Sequence, residues 1–436
     1  MPKRPDLADE YTKHFAHPIR AWIIWFLSAF FMFYKYALEV SPSVMTKTLM
    51  STFEISGAQL GNFAATYFYA YLIMQIPAGL LLDKFGPRRV TTIAIALCAL
   101  GGLIFAEAQT LLVAGIGRFL TGVGAAFGAV NCLKLIANWF PFKHFAFMTG
   151  LMMTVGMLGA VGGQAPLSAF IDALDWRLAM SYISYAGFIL AALFALIVRD
   201  KAPDHKRTKQ VSSSKMPLLE GLMKVLKNRQ SWWLAAYSGF AFAPVMIFGG
   251  LWGVSFISEG YGLSSGLSAQ TVSLIFIGFA VGAPVFGWFS DWIGRRNVVM
   301  FWGTLLATIC ISIVIYAPGV SQLMLTSTLF LFGFFISSFL LCFTMIREIN
   351  LAALSATAIG FMNAFDALFG AFSDPMTGKF LDMTWTGKLV DGARIFSVEN
   401  YKMAFLTIPI YLIISLVLMA KIKETYCKQS SPSSLP

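Results

Sequence analysis

The sequence predicts an all-α polytopic membrane protein of twelve transmembrane helices in two pseudo-symmetric halves of six. Composition is the first reason: of 436 residues 58% are hydrophobic and 12% charged, with a mean hydropathy of +0.72, whereas a soluble domain carries about 25% charged residues. Length is the second, because a hydrocarbon core of about 30 Å takes roughly 20 apolar residues per helix, and the chain has room for about twelve such stretches. The third is an internal repeat. Gly79, Asp83, Gly86 and Arg88 return 208 positions later as Gly287, Asp291, Gly294 and Arg296, each time between two long apolar stretches. Duplicated halves of this kind enclose a solute path at their interface, so the repeat points to transport.

The elements follow in chain order. Residues 1–19 carry Asp6, Asp9 and Glu10 and lead into an apolar helix with no small-residue cleavage site, which reads as a polar N-terminus before an uncleaved anchor. The N-terminal half, 20–198, places spans 1 to 6 at about 20–45, 57–82, 90–108, 111–138, 145–173 and 178–198. A basic linker, 199–230, joins the halves. Within it Leu218, Leu219, Leu222, Val225 and Leu226 recur at helical spacing beside Lys224 and Lys227, the pattern of a lateral helix on anionic headgroups. The C-terminal half, 231–420, places spans 7 to 12 at about 231–258, 268–290, 297–317, 321–346, 354–382 and 401–420, followed by a tail, 421–436. Pro166 and Pro375 echo each other in the fifth helix of each half, where proline permits a bend or a break.

The formal charge of +11 does not mark a nucleic-acid binder, because its distribution follows the positive-inside rule. With the N-terminus inside, the inner segments hold 23 Lys and Arg, and the outer segments hold six: Lys47, Arg177, Lys379, Lys388, Arg394 and Lys402. Both termini are therefore expected in the cytoplasm. The lack of an Asn-x-Ser/Thr sequon fits a bacterial inner membrane. Cys98, Cys132, Cys310, Cys342 and Cys427 form no disulfide framework and no metal spacing. Neither HExxH, GxGxxG nor a phosphate-binding loop occurs, and His14, His17, His144 and His205 all fall in segments expected to be cytoplasmic. No catalytic centre, metal or cofactor is expected, and a proton gradient is the expected energy source.

The loops between spans 2 and 3 and between spans 8 and 9 closely resemble the signature loop of the major facilitator superfamily, and the resemblance covers essentially the whole chain. It implies that Gly79, Asp83, Arg88 and Arg89, with Gly287, Asp291, Arg295 and Arg296, form a cytoplasmic gating network that holds the halves together in the outward-open state. Carboxylates and guanidiniums suit that task, since their hydrogen bonds are strong, directional and reversible. Arg118-Phe119-Leu120-Thr121-Gly122-Val123-Gly124 in span 4 is similar to the family's second motif. Span 5 departs from the antiporter motif of the drug exporters, since Ala160 stands where proline is expected. Tyr36 to Met45 and Trp139-Phe140-Pro141 look like a bacterial branch of the family. A distant similarity extends to lysosomal dipeptide transporters and to bacterial permeases for organic anions and siderophores.

Six ionisable groups lie well inside spans: Lys35, Glu39, Arg118, Lys134, Asp366 and Asp374. They fall on spans 1, 4 and 11, as expected if spans 3, 6, 9 and 12 face lipid, where a charge costs at least about 2.5 kcal/mol. Lys35 and Glu39 are about 40° apart and share a helix face. Either they neutralise each other, or Lys35 meets a substrate carboxylate while Glu39 takes a proton. Arg118 and Lys134 lie about 160° apart, so Arg118 is expected in the cavity while Lys134 snorkels. Asn363 and Asp366 share a face of span 11, and Asp374, before Pro375, either caps a broken half-helix or carries protons. Tyr237 and Trp252 are the span 7 aromatics placed to reach a cavity. The expected protein is a monomeric permease in the lipid bilayer, working by alternating access with proton-coupled uptake of a small organic anion or zwitterion. Lys35, Arg118, Tyr237, Trp252 and Asn363 would bind that small molecule, while Glu39, Asp366 and Asp374 would exchange protons. Efflux of cationic or amphipathic compounds, or an uncoupled facilitator, are the alternatives.

Overall fold

A computed structural model describes residues 18–140, 144–201, 218–351 and 354–427. The polar N-terminus, linker residues 202–217 and the end of the tail lie outside the described residues. The described chain forms twelve spans: Pro18–Val44, Gly57–Phe85, Pro87–Glu107, Leu111–Trp139, Phe147–Leu174, Trp176–Ile197, Arg229–Tyr261, Ser265–Ile293, Asn297–Tyr316, Gln322–Glu348, Ser355–Met383 and Val398–Met419. Ten are long and apolar enough to cross a membrane by themselves, and eleven when the bent span 2 counts as one. Span 11 is less apolar because Asn363, Asp366, Asp374 and Lys379 interrupt it.

The sequence repeat becomes a structural one. Spans 2 and 8 are both 29 residues long, and residues 57 and 85 of one correspond to 265 and 293 of the other. Each starts at a serine cap, where Ser56 accepts from the Gln59 N–H and Ser264 from the Leu267 N–H, satisfying helix-end donors that lipid cannot. Each ends at a glycine of positive φ, Gly86 at +85° and Gly294 at +71°. Glycine adopts that conformation without Cβ strain, which explains the second glycine of each loop.

The two fifth helices differ. Span 5 breaks at Gln164, with Pro166 in the first turn of its second piece, Ala165–Leu174. Span 11 runs through Pro375 unbroken, so Asp374 is no helix cap. In span 7 the backbone becomes π-helical over Val245–Trp252, directly after Pro244, whose ring and missing N–H disturb the normal ladder. A short helix, Leu218–Lys227, precedes span 7 and buries Val225.

The halves, residues 18–201 and 229–427, pack chiefly through span 2 on span 11 and span 5 on span 8. Among the described residues, the hydrogen bonds joining them cluster at the face away from the charged loops, the far face. There Thr46 meets Ser255, Lys47 pairs with Glu259, and the Gly57 and Ala58 N–H groups donate to Asp382. Gln164 donates to the Gly249 carbonyl at 2.6 Å and accepts from Ser273 at 3.2 Å. Spans 2 and 11 touch backbone to backbone, since a Cβ on Gly61 would strike the Asp374 carbonyl and one on Gly378 the Gly57 carbonyl. At the opposite, loop face, Gly79 and Gly287 look into open space, and among the described residues no ion pair joins the halves there. The protein is closed at the far face and parted at the loop face.

Candidate functional site

The central cavity between the halves encloses about 90 Å³, room for only a few water molecules. Spans 1 and 2 give it a charged wall of Lys35, Glu39, Tyr67 and Tyr71; span 11 faces them with Asn363 and Asp366. Lys35 is 3% exposed, and its ammonium donates to Glu39 Oε2 at 3.2 Å. The same ammonium lies 3.5 Å from the centre of the Tyr36 ring and 5.2 Å from that of Tyr71. Tyr67 donates to the same Glu39 oxygen at 2.8 Å. Of the two readings open for Lys35 and Glu39, the pair is the one formed here. Across the cavity Ser238 donates to Asp366 Oδ1 at 2.6 Å, and Asn363 makes no side-chain hydrogen bond among the described residues.

Four expected site residues lie outside the cavity lining. Arg118 is 3% exposed and donates to the carbonyls of Leu38 at 2.6 Å and Glu39 at 3.0 Å, outside the cavity lining. Pro42 has no N–H to give the Leu38 carbonyl four residues earlier, and the Ser41 hydroxyl donates to that carbonyl at 2.9 Å. Arg118 adds two further donors there and fastens the end of span 1. Tyr237 is fully buried, its hydroxyl sharing a 2.8 Å hydrogen bond with Thr304 of span 9. Trp252 is also fully buried, within the π-helical stretch, and Phe242 is the span 7 aromatic that reaches the cavity. Asp374, 3% exposed, sits beneath the contact of spans 2 and 11 rather than in the cavity, with Oδ1 lacking a hydrogen bond.

At the loop face, the Lys134 ammonium reaches the exposed end of span 2. It donates to Asp83 at 2.7 Å and to the Leu82 carbonyl at 2.6 Å, so Asp83 is held by span 4 of its own half rather than by Arg88 or Arg89. Arg88 donates to the Ala195 carbonyl, while Arg89 and Arg295 are exposed. Arg296 gathers Asp291 at 2.7 Å, Glu348 at 2.9 Å and Ser290 at 2.9 Å. Partial burial opposes its charge, but hydrogen bonds and charge from Glu348, then from Asp291, hold the Arg296 pKa above the ordinary arginine value. Both loop carboxylates stand largely in the open, Asp83 77% and Asp291 68% exposed.

Residue-level reading of the sequence missed Tyr67, Ser238, Gln164 and Asp382, which are neutral or lie at a span end. Their role comes from neighbours distant in the chain, and only the polar break before Pro166 gave a local signal.

Twelve spans in two repeated halves, closing on a cavity with one ammonium and two carboxylates, define a polytopic carrier fold. The chain matches the Major Facilitator Superfamily over residues 22–421 and belongs to that family, one of membrane transporters rather than enzymes. It is 27% identical over 296 residues to an uncharacterized transporter, YybO, of Bacillus subtilis, covering 63% of this chain and 66% of that one. Its identity is 22% to the probable sulfoacetate transporter SauU of Cupriavidus necator, covering 61% of this chain and 64% of that one. It is 25% to the probable galactarate/D-glucarate transporter GarP of Escherichia coli, covering 61% and 65%. The matched chain thus spans about two thirds of the length of these relatives. In fold it resembles a bacterial homolog of the human lysosomal transporter Spinster in an inward-facing, unoccupied conformation, with a TM-score of 0.76 and 15% identity, covering 95% of this chain and 99% of that one.

Proposed function

We propose that the protein is a secondary transporter that takes up a small organic anion together with protons, by alternating access, in a bacterial inner membrane. One observation carries this reading: among the described residues lining the cavity, Lys35 is the one cation, and Glu39 occupies it. A substrate anion that takes the ammonium displaces Glu39, which then accepts a proton while Tyr67 keeps its carboxyl in place. Anion and proton together leave the net charge of the cavity unchanged, which limits the cost of moving it through low dielectric. Asp366 and Asn363 supply acceptors to hydroxyl groups on the same substrate. The names of two relatives, for sulfoacetate and for galactarate or D-glucarate, support an anion. Asp374 would exchange its proton only when spans 2 and 11 separate. Efflux of cations would need Glu39 and Asp366 free, and the Lys35 pair weighs against it.

The test is accumulation of sulfoacetate, D-glucarate, galactarate and D-gluconate by cells with and without the protein, before and after a protonophore. Proton-dependent accumulation of at least one is expected. Resistance to lipophilic cations with no anion accumulation would overturn the reading in favour of efflux, and protonophore-insensitive equilibration would make it a facilitator.

Two further outcomes follow from the same reading. The loop face is assigned to the cytoplasm, on the 23-to-6 distribution of Lys and Arg. Single cysteines at Ser213 and Ser433 should therefore be labelled only from inside and one at Gly387 only from outside. In the oppositely facing state the two charged loops are assigned to bridge the halves. Asp83→Asn then favours the loop-open state, because only interactions that differ between states move the balance, and labelling of a cysteine at Gly79 in sealed vesicles should rise.

A further inference from the structure

We propose that Asp382 is the far-face latch of the transport cycle, a gating residue that no sequence motif marks. Its carboxylate accepts from the Gly57 N–H at 2.9 Å with one oxygen and from the Ala58 N–H at 2.7 Å with the other. These are the first two residues of span 2, in the opposite half. Arg394, on the hairpin Leu389–Val390 and Ala393–Arg394, donates to the same carboxylate at 3.0 Å and lies 4.5 Å from the Trp385 ring centre. Free N–H groups and the helix dipole both favour an anion there. The cluster is largely shielded, with side-chain exposures of 17% for Asp382 and 32% for Arg394.

Three other spans have carboxylates on their N-termini, and at span 6 Asp175 accepts from the Arg177 N–H. Asp200 accepts from the Arg88 N–H at span 3, and Glu424 from the Arg296 and Asn297 N–H groups at span 9. Those carboxylates come from the same half as the helix they bind, so they survive any rigid movement of the halves. The Asp382 bonds cross between halves and must break whenever the far face opens.

Spans 2 and 11 also present equivalent ends. Both are 29 residues, with Asp83 near the C-terminus of one and Asp382 near the C-terminus of the other. Here Asp382 is engaged across the interface while Asp83 stands 77% exposed on its own half. The two carboxylates work as reciprocal latches, and opening one face releases the bond that closed it. This rests on the alternating-access reading, but its test needs no substrate.

The test is a spin-label distance measurement in lipid nanodiscs, with labels at Gln109 and Gln322, exposed far-face positions of opposite halves, in a background without native cysteines. Asp382→Asn keeps the shape but loses the charge and one acceptor, and should lower the ratio of far-closed to far-open protein about tenfold or more. Asp382→Glu should retain part of the closed population, and Arg394→Gln should have a smaller effect than Asp382→Asn. If Asp382→Asn does not survive purification, labelling in native membranes of a cysteine at Leu60, buried beneath the contact, reads the same opening. A closed population unchanged in Asp382→Asn, or Leu60 labelling no higher than in the parent, would overturn the latch. A shift with no transport of any anion would uphold the latch and count against the substrate assignment.

Discussion

Lys35→Met is expected to abolish anion transport while leaving a folded protein. The ammonium lies over the Tyr36 ring and holds Glu39, and methionine keeps an unbranched side chain of similar length without the charge. The substrate loses a charge-assisted bond in a desolvated site, worth about 1.5 to 3 kcal/mol, or roughly ten- to a hundredfold in affinity. Removing one partner of a buried pair also leaves the other charge uncompensated, so the single variant should be less stable than Lys35→Met combined with Glu39→Gln. Glu39→Gln alone separates binding from coupling. Its amide still accepts from Tyr67 and releases Lys35 more readily, but carries no proton. Substrate exchange should persist in that variant while proton-driven accumulation disappears. Binding titrations and counterflow in proteoliposomes read both, and full binding by Lys35→Met would remove Lys35 from the substrate site.

Gly378→Val is expected to trap the protein with its far face open. A Cβ at Gly378 meets the Gly57 carbonyl across the two halves, and a side chain on Gly61 would meet the Asp374 backbone in the same seam. Backbone cannot yield as a flexible side chain does, and overpacking of this kind costs about 1 to 3 kcal/mol. The cost falls only on the far-closed state, because opening separates the two surfaces. A difference between states of that size moves the population about five- to a hundredfold. Transport should fall with it, although the protein remains folded and inserted. Valine at Gly266, which has open space around its Cβ position, is the control. Equal transport by both variants would show that spans 2 and 11 do not meet during the cycle as they do here.

Much of the architecture was legible from the chain alone. Lipid sorts side chains along one dimension, so span number, the repeat and the two loop glycines follow from apolar run lengths and backbone conformation. Intramembrane charges also stand out by their cost, and Lys35, Glu39, Asn363 and Asp366 do line the cavity. Orientation around the spans was less legible. Helical phase relates Arg118 to Lys134 but does not say what either meets, and the partners of Arg118 are two carbonyls at the end of another span. Lys134 likewise found Asp83 on span 2, and the helix ran on through Pro375 where sequence allowed a break. Asp382 looked like a span-end charge until folding brought it to the N-terminus of a helix more than 300 residues earlier. Sequence alone thus determined the membrane class, the duplicated halves and which residues carry charge, because those follow from local hydropathy and spacing. Tertiary structure alone decided which charges pair, which face the cavity and which bridge the halves, because hydrogen-bond partners are chosen by the packing of distant spans.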